Sequence, residues 1–395
     1  MISFREAQQI IVSKARSIGT ELIDLETADG RVLAEDIPAD RDYPPFNRSA
    51  MDGYAFQLHD WEEGIREFVV QQIIYAGERP GSTLKKGHCF KIMTGAAVPN
   101  PADVVIRRED AKEAEDKVSF TIEKLSRFQN IAKQGEDLKQ NEIAIKANSL
   151  CTPALIGTLA TLGKSKILVY KLPKTSLFTT GNEFKPADSE VSSVEIRNSN
   201  QWFLKSALKK WNITPFNIAH IPDKIEALKS VIGSALNSDI VIMSGGVSAG
   251  DADFVPQVME ELGVKKLFHK VAIKPGKPIW CGELPNGGLV FALPGNPFSC
   301  LVNFKLFIEP YLSVTMGLPV PQMLSLPFEG TRIKKSNLDE FFPVQFSGNP
   351  TCLRSVPING SGDIRLGLHA NAIGYQPADK AKLDPGIQVS YYPLF

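Results

Sequence analysis

The sequence predicts a multi-domain protein of the α/β plus β class, with a central three-layer α/β domain built on a mostly parallel sheet. The chain has 395 residues, more than one hydrophobic core usually organises. Residues 166–317 alternate short apolar runs with amphipathic segments, which is the pattern of parallel strands and covering helices. Residues 33–132 and 318–395 carry short β-like runs separated by Gly, Pro and Asp, and this pattern is typical of small β domains.

Two helical segments flank the first β region. Ser3 is placed to cap a helix at the start of the chain, with Glu6 completing a capping box, and Thr152 and Gly163 are placed to begin and end a second helix. We assign both segments to one small helical linking domain. The predicted domains are therefore the linking domain (1–32 with 133–165), an inserted β domain (33–132), the α/β domain (166–317) and a C-terminal β domain (318–395).

The α/β domain is predicted to open with the run ILVY and to continue as alternating strands and helices. Its apolar runs have strand length, and the segments between them have helical periodicity. The predicted elements are a strand at 167–170, a helix at 200–211, a strand at 216–221, a helix at 223–236, a strand at 239–243, a helix at 254–262, a strand at 288–293 and a long helix that starts near Pro297.

Composition excludes several classes of function. Lys plus Arg and Asp plus Glu each number 44, so no global field attracts nucleic acid or an anionic membrane. The five cysteines are odd in number and lack a CxxC spacing, which argues against a disulfide framework and against a structural zinc site. The chain begins with a polar segment and has no apolar run of membrane-spanning length. We expect a cytoplasmic protein that binds neither nucleic acid nor membrane.

The segment DIVIMSGGVSAGDADF is the first candidate site. A buried strand is predicted to run into glycines that let backbone N–H groups converge on an anion. Asp251 and Asp253 follow directly and offer the hard oxygen ligands that Mg²⁺ shared with a phosphate requires. A Gly-rich connection followed by a helix-capping Asp is the alternative interpretation. The loop residues that we expect to bind the ligand are Ser244, Gly245, Gly246, Ser248 and Gly250.

Two further loops follow predicted apolar runs. VAIKPGKP holds Lys274 and Lys277 near each other, an electrostatic cost that is tolerable if an anion lies between them; a solvated loop is the alternative. In FALPGNPFSC a strand ends at a turn and Ser299 lies in the first turn of the next helix, where N–H groups and the helix dipole favour an oxyanion. An ordinary strand-to-helix connection is the alternative there. The turn residues expected to contact the ligand are Pro294, Gly295 and Asn296.

Three such loops in one parallel-sheet domain point to a phosphate-bearing ligand and a second anion, because parallel sheets bind ligands at the carboxyl ends of their strands. The inserted β region adds NRSAMDGYA with Asp52 and IMTGAAVP with Thr94. Asp and Thr in loops also make local Asx and ST turns, so this second interpretation stays open for both residues.

Six segments in this order resemble one family. SAMDGYA, IMTGAAVP, TTGNE, SGGVSAGDADF, IKPGKP and LPGNPFS resemble the MoeA family of molybdopterin molybdenumtransferases, which includes the E domain of gephyrin. The resemblance spans essentially the whole chain. It implies an enzyme that hydrolyses adenylylated molybdopterin and inserts molybdate at the dithiolene with the help of Mg²⁺. It also implies four domains and an elongated homodimer.

The resemblance also implies roles for individual residues. In the family dimer the second domain of one chain faces the α/β domain of the other, so Asp52 and Thr94 would complete the partner's site. The remaining roles fall into two groups: Glu183, Asp223, Asp251 and Asp253 would manage Mg²⁺ and water at the adenylate, with Glu183, Asp251 and Asp253 as metal ligands, and Lys274, Lys277, Ser299 and Ser361 would hold molybdate.

The sequence departs from the family pattern at several positions. Asn182 and Asn198 stand where the family usually carries Asp. The family often has an Arg in its last domain that grips molybdate, and this chain offers Leu338 and Pro343 in that neighbourhood. Arg365 is our hypothesis for a cation that replaces it; an exposed strand arginine is the alternative.

Three functions are compatible with these patterns. The first is molybdenum insertion, for which carboxylates and Gly loops suffice because phosphoanhydride cleavage needs a metal and oriented water more than a protein nucleophile. The second is a gephyrin-like scaffold that keeps the fold and has lost the chemistry. The third is a molybdopterin adenylyltransferase, which leaves both outer β domains unexplained. For the first function we also expect transient contacts with the adenylyltransferase and with apo-molybdoenzymes.

Overall fold

A computed structural model describes residues 1–79, 81–247, 254–348 and 351–394. The chain forms two compact units. The first unit comprises residues 1–34, 148–156 and 166–395, and the second comprises residues 35–147 and 157–165. The finer division into four domains stays a prediction.

The first unit contains a central sheet of six strands within the described residues. Four neighbouring strands are parallel, and two more extend the sheet antiparallel at one side. Their spatial order is Asn217–Ile221, Thr175–Thr180, Ile240–Ser244, Leu289–Leu293, Trp280–Glu283 and Lys265–His269.

Helices cover both faces of this sheet. Ile240 and Ile242 point into one apolar cluster, which includes side chains of the helix Ser199–Lys209. Val241 and Met243 point into another cluster, with side chains from the helices Ile225–Ser234 and Val255–Glu261. Successive strand residues face opposite sides of the sheet, and each side packs against its own helices. The sheet and the helices on its two faces therefore form three layers.

The predicted strands at 216–221, 239–243 and 288–293 and the helices between them are present with shifted ends, but the first strand was assigned to the wrong place. The run ILVY lies in Lys166–Tyr170, which pairs antiparallel with Thr20–Asp24 outside the central sheet. The sheet opens instead with Thr175–Thr180, a run rich in Ser and Thr that apolar periodicity does not identify. The antiparallel strand Trp280–Glu283 was also missed, because a short hairpin returns it beside Leu289–Leu293.

The N-terminal helix Phe4–Ser13 has the predicted capping box. The Glu6 N–H donates to Ser3 Oγ at 3.2 Å, and the Ser3 N–H donates to Glu6 Oε2 at 3.4 Å. Phe4, Ala7 and Ile11 are buried in the larger apolar cluster of the first unit. The second predicted helix is Pro153–Thr161, where the Leu155 N–H donates to Thr152 Oγ1 at 3.3 Å.

A continuous helical segment follows the strand Leu289–Leu293. It consists of the α-helix Pro297–Asn303, a π-helical stretch Phe304–Ile308 and the α-helix Glu309–Thr315. Most of its side chains are buried, so it forms much of the core on one face of the sheet. Within the described residues, no helix has both the length and the apolar character needed to cross a membrane.

The last part of the first unit is a closed β ring. Its strands are Leu324–Glu329, Asp339–Ser347, Cys352–Ser355, Ala372–Gln376 and Gln388–Pro393, and Asp339–Ser347 pairs on both sides to close the ring. The short strand Ile273–Lys274 pairs in parallel with Asp339–Glu340, so the ring is hydrogen-bonded to a loop of the α/β sheet. Smaller elements are the pair Arg332–Ile333 with Lys382–Leu383, the helix Leu366–His369, and the pair Phe184–Lys185 with Ile196–Arg197.

The second unit is mostly β, as the inserted region predicts. An aromatic cluster with Phe56, Phe68 and Trp61 fills one face of its main sheet. The main sheet has the order Val104–Arg107, Gly53–Phe56, His88–Ile92, Glu67–Ile74, Lys117–Phe120 and Ala111–Ala114; smaller elements are the pairs Arg48–Ser49 with Ile131–Ala132 and Ile37–Pro38 with Ile143–Ile145, and the helix Leu58–Glu62.

Candidate functional site

One cavity of the first unit brings the three predicted loops together. Its volume is about 1460 Å³, larger than the roughly 300–1,000 Å³ of most small-ligand pockets. Gly246, Lys277 and Ser299, one from each loop, lie on its wall. The other predicted site residues that line it are Glu183, Asp223, Gly245, Lys274, Pro294, Gly295, Asn296 and Ser361.

The loops meet because their strands end in register. Ile240–Ser244 and Leu289–Leu293 pair in parallel from first residue to last, so both chains leave the sheet at the same level. The Gly245 N–H then donates to the Leu293 carbonyl at 3.0 Å. Asn200 joins the two loops from beneath, since its Nδ2 donates to Ser244 Oγ at 2.8 Å and to the Gly295 carbonyl at 2.6 Å. Ser244 is itself buried under the cavity wall.

Glycine is required in the turn after Ile240–Ser244. Gly245 has φ +104° and Gly246 has φ +68°, a region that side chains other than glycine rarely adopt. A Cβ atom on Gly245 would lie 2.3 Å from the Thr180 carbonyl oxygen. The turn therefore packs against the end of the neighbouring strand as closely as backbone allows.

A buried asparagine holds the lysine loop to the helix that carries Ser299. Asn303 is fully buried, and its Nδ2 donates to the Gly276 carbonyl at 3.2 Å and to the Ser299 carbonyl at 2.9 Å. Gly276 lies between the two predicted lysines, so Asn303 fixes how far Lys274 and Lys277 stand from Ser299. Sequence reasoning missed this residue because the hydrogen bond spans 27 positions of the chain.

The two lysines differ in their environment. Both side chains are exposed to the cavity and solvent. Lys274 Nζ lies 3.6 Å from Glu340 Oε1 of the β ring. For Lys277 we find no ion pair with any described residue.

Ser361 is brought to the cavity by the start of the long helical segment. Asn296 Nδ2 donates to Ser361 Oγ at 3.0 Å, and the Phe298 N–H donates to the Ser361 carbonyl at 3.0 Å. One N–H group of the first turn is thus already paired, although the sequence indicated that this turn would offer free donors. Ser299 is 4% exposed, yet it lines the cavity wall.

The acidic residues lie at another part of the wall. The Thr180 hydroxyl donates a short hydrogen bond to Asp223 Oδ1, and the Asp223 N–H donates to Asn182 Oδ1 at 3.2 Å. Glu183 also lines the cavity and is exposed. These contacts fix the Asp223 carboxylate at the edge of the sheet.

Asn198, the second position at which this chain has Asn where the resemblance leads us to expect Asp, caps the helix Ser199–Lys209. Its Oδ1 accepts from the Gln201 N–H at 3.2 Å, and its Nδ2 donates to Thr179 Oγ1 at 2.7 Å. A carboxylate would cap the helix equally well but would have no N–H for Thr179. Four other predicted site residues lie outside the described part of the chain, namely Ser248, Gly250, Asp251 and Asp253.

Asp52 and Thr94 lie together in the second unit. The Thr94 N–H and hydroxyl each donate to Asp52 Oδ1 at 2.7 Å. These two hydrogen bonds hold the pKa of the Asp52 carboxyl below its usual value. The pair is exposed, so its carboxylate is oriented and ionised at the surface of its unit.

Comparison with known proteins identifies the family. Residues 2–163 match the model of the "MoeA N-terminal region (domain I and II)", and residues 176–314 match the "Probable molybdopterin binding domain". A molybdopterin molybdenumtransferase of Staphylococcus epidermidis is 32% identical over 94% of this chain and 90% of its own length. The chain belongs to the molybdopterin molybdenumtransferase family. The family predicted from the six motifs is therefore confirmed.

Other relatives agree with this assignment. The molybdopterin molybdenumtransferase of Haemophilus influenzae is 34% identical over 75% of this chain and 73% of its own length. The crystal structure of a molybdopterin biosynthesis MoeA protein from Pyrococcus horikoshii is 28% identical and superimposes with a TM-score of 0.86 over 99% of this chain and all of that one. The broad prediction of a multi-domain α/β plus β fold agrees with this neighbour.

The short strand Arg332–Ile333 does present an arginine to the cavity, but not the one proposed from the sequence. Arg365 is exposed and makes hydrogen bonds of 3.0 and 2.6 Å to the adjacent Asp363, and it does not line the cavity. The hypothesis that Arg365 supplies the missing cation is therefore not supported. Arg332 lines the wall instead, with its guanidinium carbon 4.1 Å from the centre of the Phe342 ring. No motif in the sequence marks Arg332 for this position.

Gly245→Ala tests the packing of the turn. We expect it to lower the free energy of unfolding of the first unit by more than about 3 kcal/mol, since the cost of the positive φ adds to the cost of the clash with the backbone. The matched control is Gly263→Ala, at φ +81° with nothing within 4 Å of the new Cβ, for which only the conformational cost of about 1–2 kcal/mol remains. The measurement is the urea midpoint by tryptophan fluorescence, and equal midpoints for the two variants would contradict this account of the turn.

Proposed function

We propose that this chain inserts molybdate into adenylylated molybdopterin, with Mg²⁺ as cofactor and AMP as the released product. The observation that carries the proposal is the convergence of Gly246, Lys277 and Ser299 on one cavity wall. A glycine turn, a lysine loop and a helix start are each complementary to anions. A cavity that joins all three suits a phosphate-bearing ligand together with a second, separate oxyanion.

In this proposal the basic part of the cavity binds molybdate as substrate. Molybdate is a tetrahedral dianion, and two ammonium groups with two hydroxyls offer it charge and hydrogen bonds. Lys274 and Lys277 supply the charges, and Ser299 and Ser361 supply the hydroxyls. Asn303 ties the backbone of the lysine loop to that of Ser299, so the two segments that carry these groups are held together.

The acidic part of the cavity fits Mg²⁺ by its donor chemistry. Mg²⁺ is commonly held by one or two carboxylates together with substrate phosphates and water, and Glu183 and Asp223 offer two carboxylates on the wall. Within the described residues there is no cluster of three or more His, Cys, Asp or Glu side chains that could hold a metal ion. The ion would neutralise the phosphate charge, while Thr180 and Asn182 hold Asp223 in position. We retain Asp251 and Asp253 as proposed ligands.

The proposal also includes a shared site in a homodimer. Asp52 and Thr94 belong to the second unit and are proposed to complete the partner's cavity. The oriented carboxylate of Asp52 supports such a role, because a group that acts across an interface must be held in place by its own chain. The cytoplasmic location and the contacts with the adenylyltransferase and apo-molybdoenzymes stay predictions.

The decisive experiment supplies adenylylated molybdopterin, Mg²⁺ and molybdate to the purified chain and measures AMP and molybdenum cofactor. The proposal expects both products in equal amounts. If neither AMP nor molybdenum cofactor forms, the chain is a scaffold of the gephyrin kind. Consumption of ATP with free molybdopterin, without molybdenum insertion, would indicate an adenylyltransferase.

Lys277→Ala is expected to raise the half-saturating molybdate concentration by about tenfold, because loss of one close charge weakens dianion binding by about 1–2 kcal/mol. The half-saturating concentration of adenylylated molybdopterin should change less than twofold. The matched control is Lys265→Ala, an exposed lysine on the sheet edge outside the cavity. An unchanged molybdate requirement in Lys277→Ala would remove this lysine from the site.

Asp223→Asn keeps the shape and the acceptor for Thr180 but removes the charge. We expect AMP release to need roughly tenfold more Mg²⁺, since a neutral amide is a poorer ligand for a hard cation. The control is Asp384→Asn, an exposed carboxylate outside the cavity that is paired with Lys382. Equal Mg²⁺ dependence in wild type and Asp223→Asn would show that this carboxylate does not serve the metal.

A further inference from the structure

A carboxylate of the β ring stands opposite one of the two lysines. The strand Ile273–Lys274 pairs in parallel with Asp339–Glu340, and the register places Lys274 beside Glu340. Their side chains approach to 3.6 Å between Lys274 Nζ and Glu340 Oε1. The backbone pairing therefore fixes a negative charge next to the proposed molybdate site.

Glu340 is held firmly by other partners. It is 5% exposed, and it accepts from Arg332 Nη2 at 2.7 Å and from Ser336 Oγ at 2.7 Å. Burial raises the pKa of this carboxyl, but the hydrogen bonds from Arg332 and Ser336 outweigh that effect and hold the pKa below its usual value. Arg332 is fixed in turn by a short hydrogen bond to Gln376. The Glu340 carboxylate is thus ionised and held by two hydrogen bonds.

Lys274 is the loosely held partner of the group. Its side chain is 60% exposed, whereas that of Glu340 is 6% exposed. The distance of 3.6 Å is longer than that of a charge-assisted hydrogen bond, which lies near 2.7–2.9 Å. An exposed ammonium at this distance exchanges partners at little cost. A dianion that enters the cavity can therefore take Lys274 from Glu340, while Glu340 keeps Arg332.

We propose that Glu340 is a positioning residue that acts through Lys274: it holds the lysine in the free cavity, and the bound oxyanion displaces it as the lysine's partner. The inference rests on the proposed function, since it assigns the anion to the same site.

Glu340→Gln tests the inference because the amide keeps the shape: its oxygen can accept from Arg332, and its N–H can donate to Ser336 Oγ. With no competing carboxylate, molybdate should bind about three- to tenfold more tightly, the range of a partly exposed ion pair. The binding is measured by calorimetric titration with sodium molybdate and by the molybdate dependence of turnover. The half-saturating concentration of adenylylated molybdopterin should stay unchanged. If Glu340 had only a structural role, its substitution would affect the half-saturating concentrations of both substrates.

A double-mutant cycle with Lys274→Met shows whether the effect passes through the lysine. In the Lys274→Met background, Glu340→Gln should leave molybdate binding unchanged. The matched control is Glu329→Gln, which removes a carboxylate paired with Arg354 on the same β ring but outside the cavity. Its molybdate titration should coincide with that of wild type.

Two results would overturn the inference. One is a Glu340→Gln titration that coincides with that of Glu329→Gln, and the other is tighter binding that persists without Lys274. Failure of the proposed function is distinguishable from both. A wild type that binds molybdate but forms no molybdenum cofactor overturns the proposed function, and the calorimetric titrations then still decide the role of Glu340.

Discussion

The parallel register between Ile240–Ser244 and Leu289–Leu293 is the constraint on which the site depends. Because the two strands end at the same level, the turns that follow them lie side by side, and the Gly245 N–H can reach the Leu293 carbonyl. Asn200 then ties both turns together from below. A slip of one residue would turn every strand side chain to the opposite face and separate the turns. The cavity wall is therefore a consequence of core packing, with the apolar clusters on the two faces of the sheet fixing the register.

The charges of the cavity are segregated by the elements that carry them. Asp223 and Glu183 follow the neighbouring strands Asn217–Ile221 and Thr175–Thr180 at one side of the parallel set, whereas Lys274 and Lys277 come from the loop that pairs with the β ring. The carboxylates suit a cation beside a phosphate, and the ammonium groups suit a separate oxyanion at the other part of the cavity. This arrangement explains why the described wall needs no Ser-His-Asp catalytic triad, since the placement of charges provides most of the catalysis in phosphoryl transfer.

The sequence predicted the local parts of this structure well and the non-local parts poorly. The capping box of Ser3, the strand Ile240–Ser244 and the lysine loop follow from neighbours in the chain, and each was identified. Asn303, Glu340 and Arg332 were missed because their roles come from contacts with segments far along the chain. Arg365 was chosen for its closeness in sequence to Ser361, yet its guanidinium turns to Asp363, two residues away. Motifs locate loops, whereas strand pairing decides which side chains face the cavity.

The two aspartate-to-asparagine departures illustrate what the geometry demands of these positions. Asn182 accepts from the Asp223 N–H, and Asn198 accepts from the Gln201 N–H, so each supplies the acceptor oxygen that an aspartate would supply. Asn198 also donates to Thr179, which a carboxylate has no proton to do. The backbone around the acidic wall is thus held as firmly as with aspartates, and only the charge is lower. Loss of these carboxylates is therefore no argument for a scaffold that has lost its chemistry, because Glu183 and Asp223, the two carboxylates proposed for Mg²⁺, are both present on the wall.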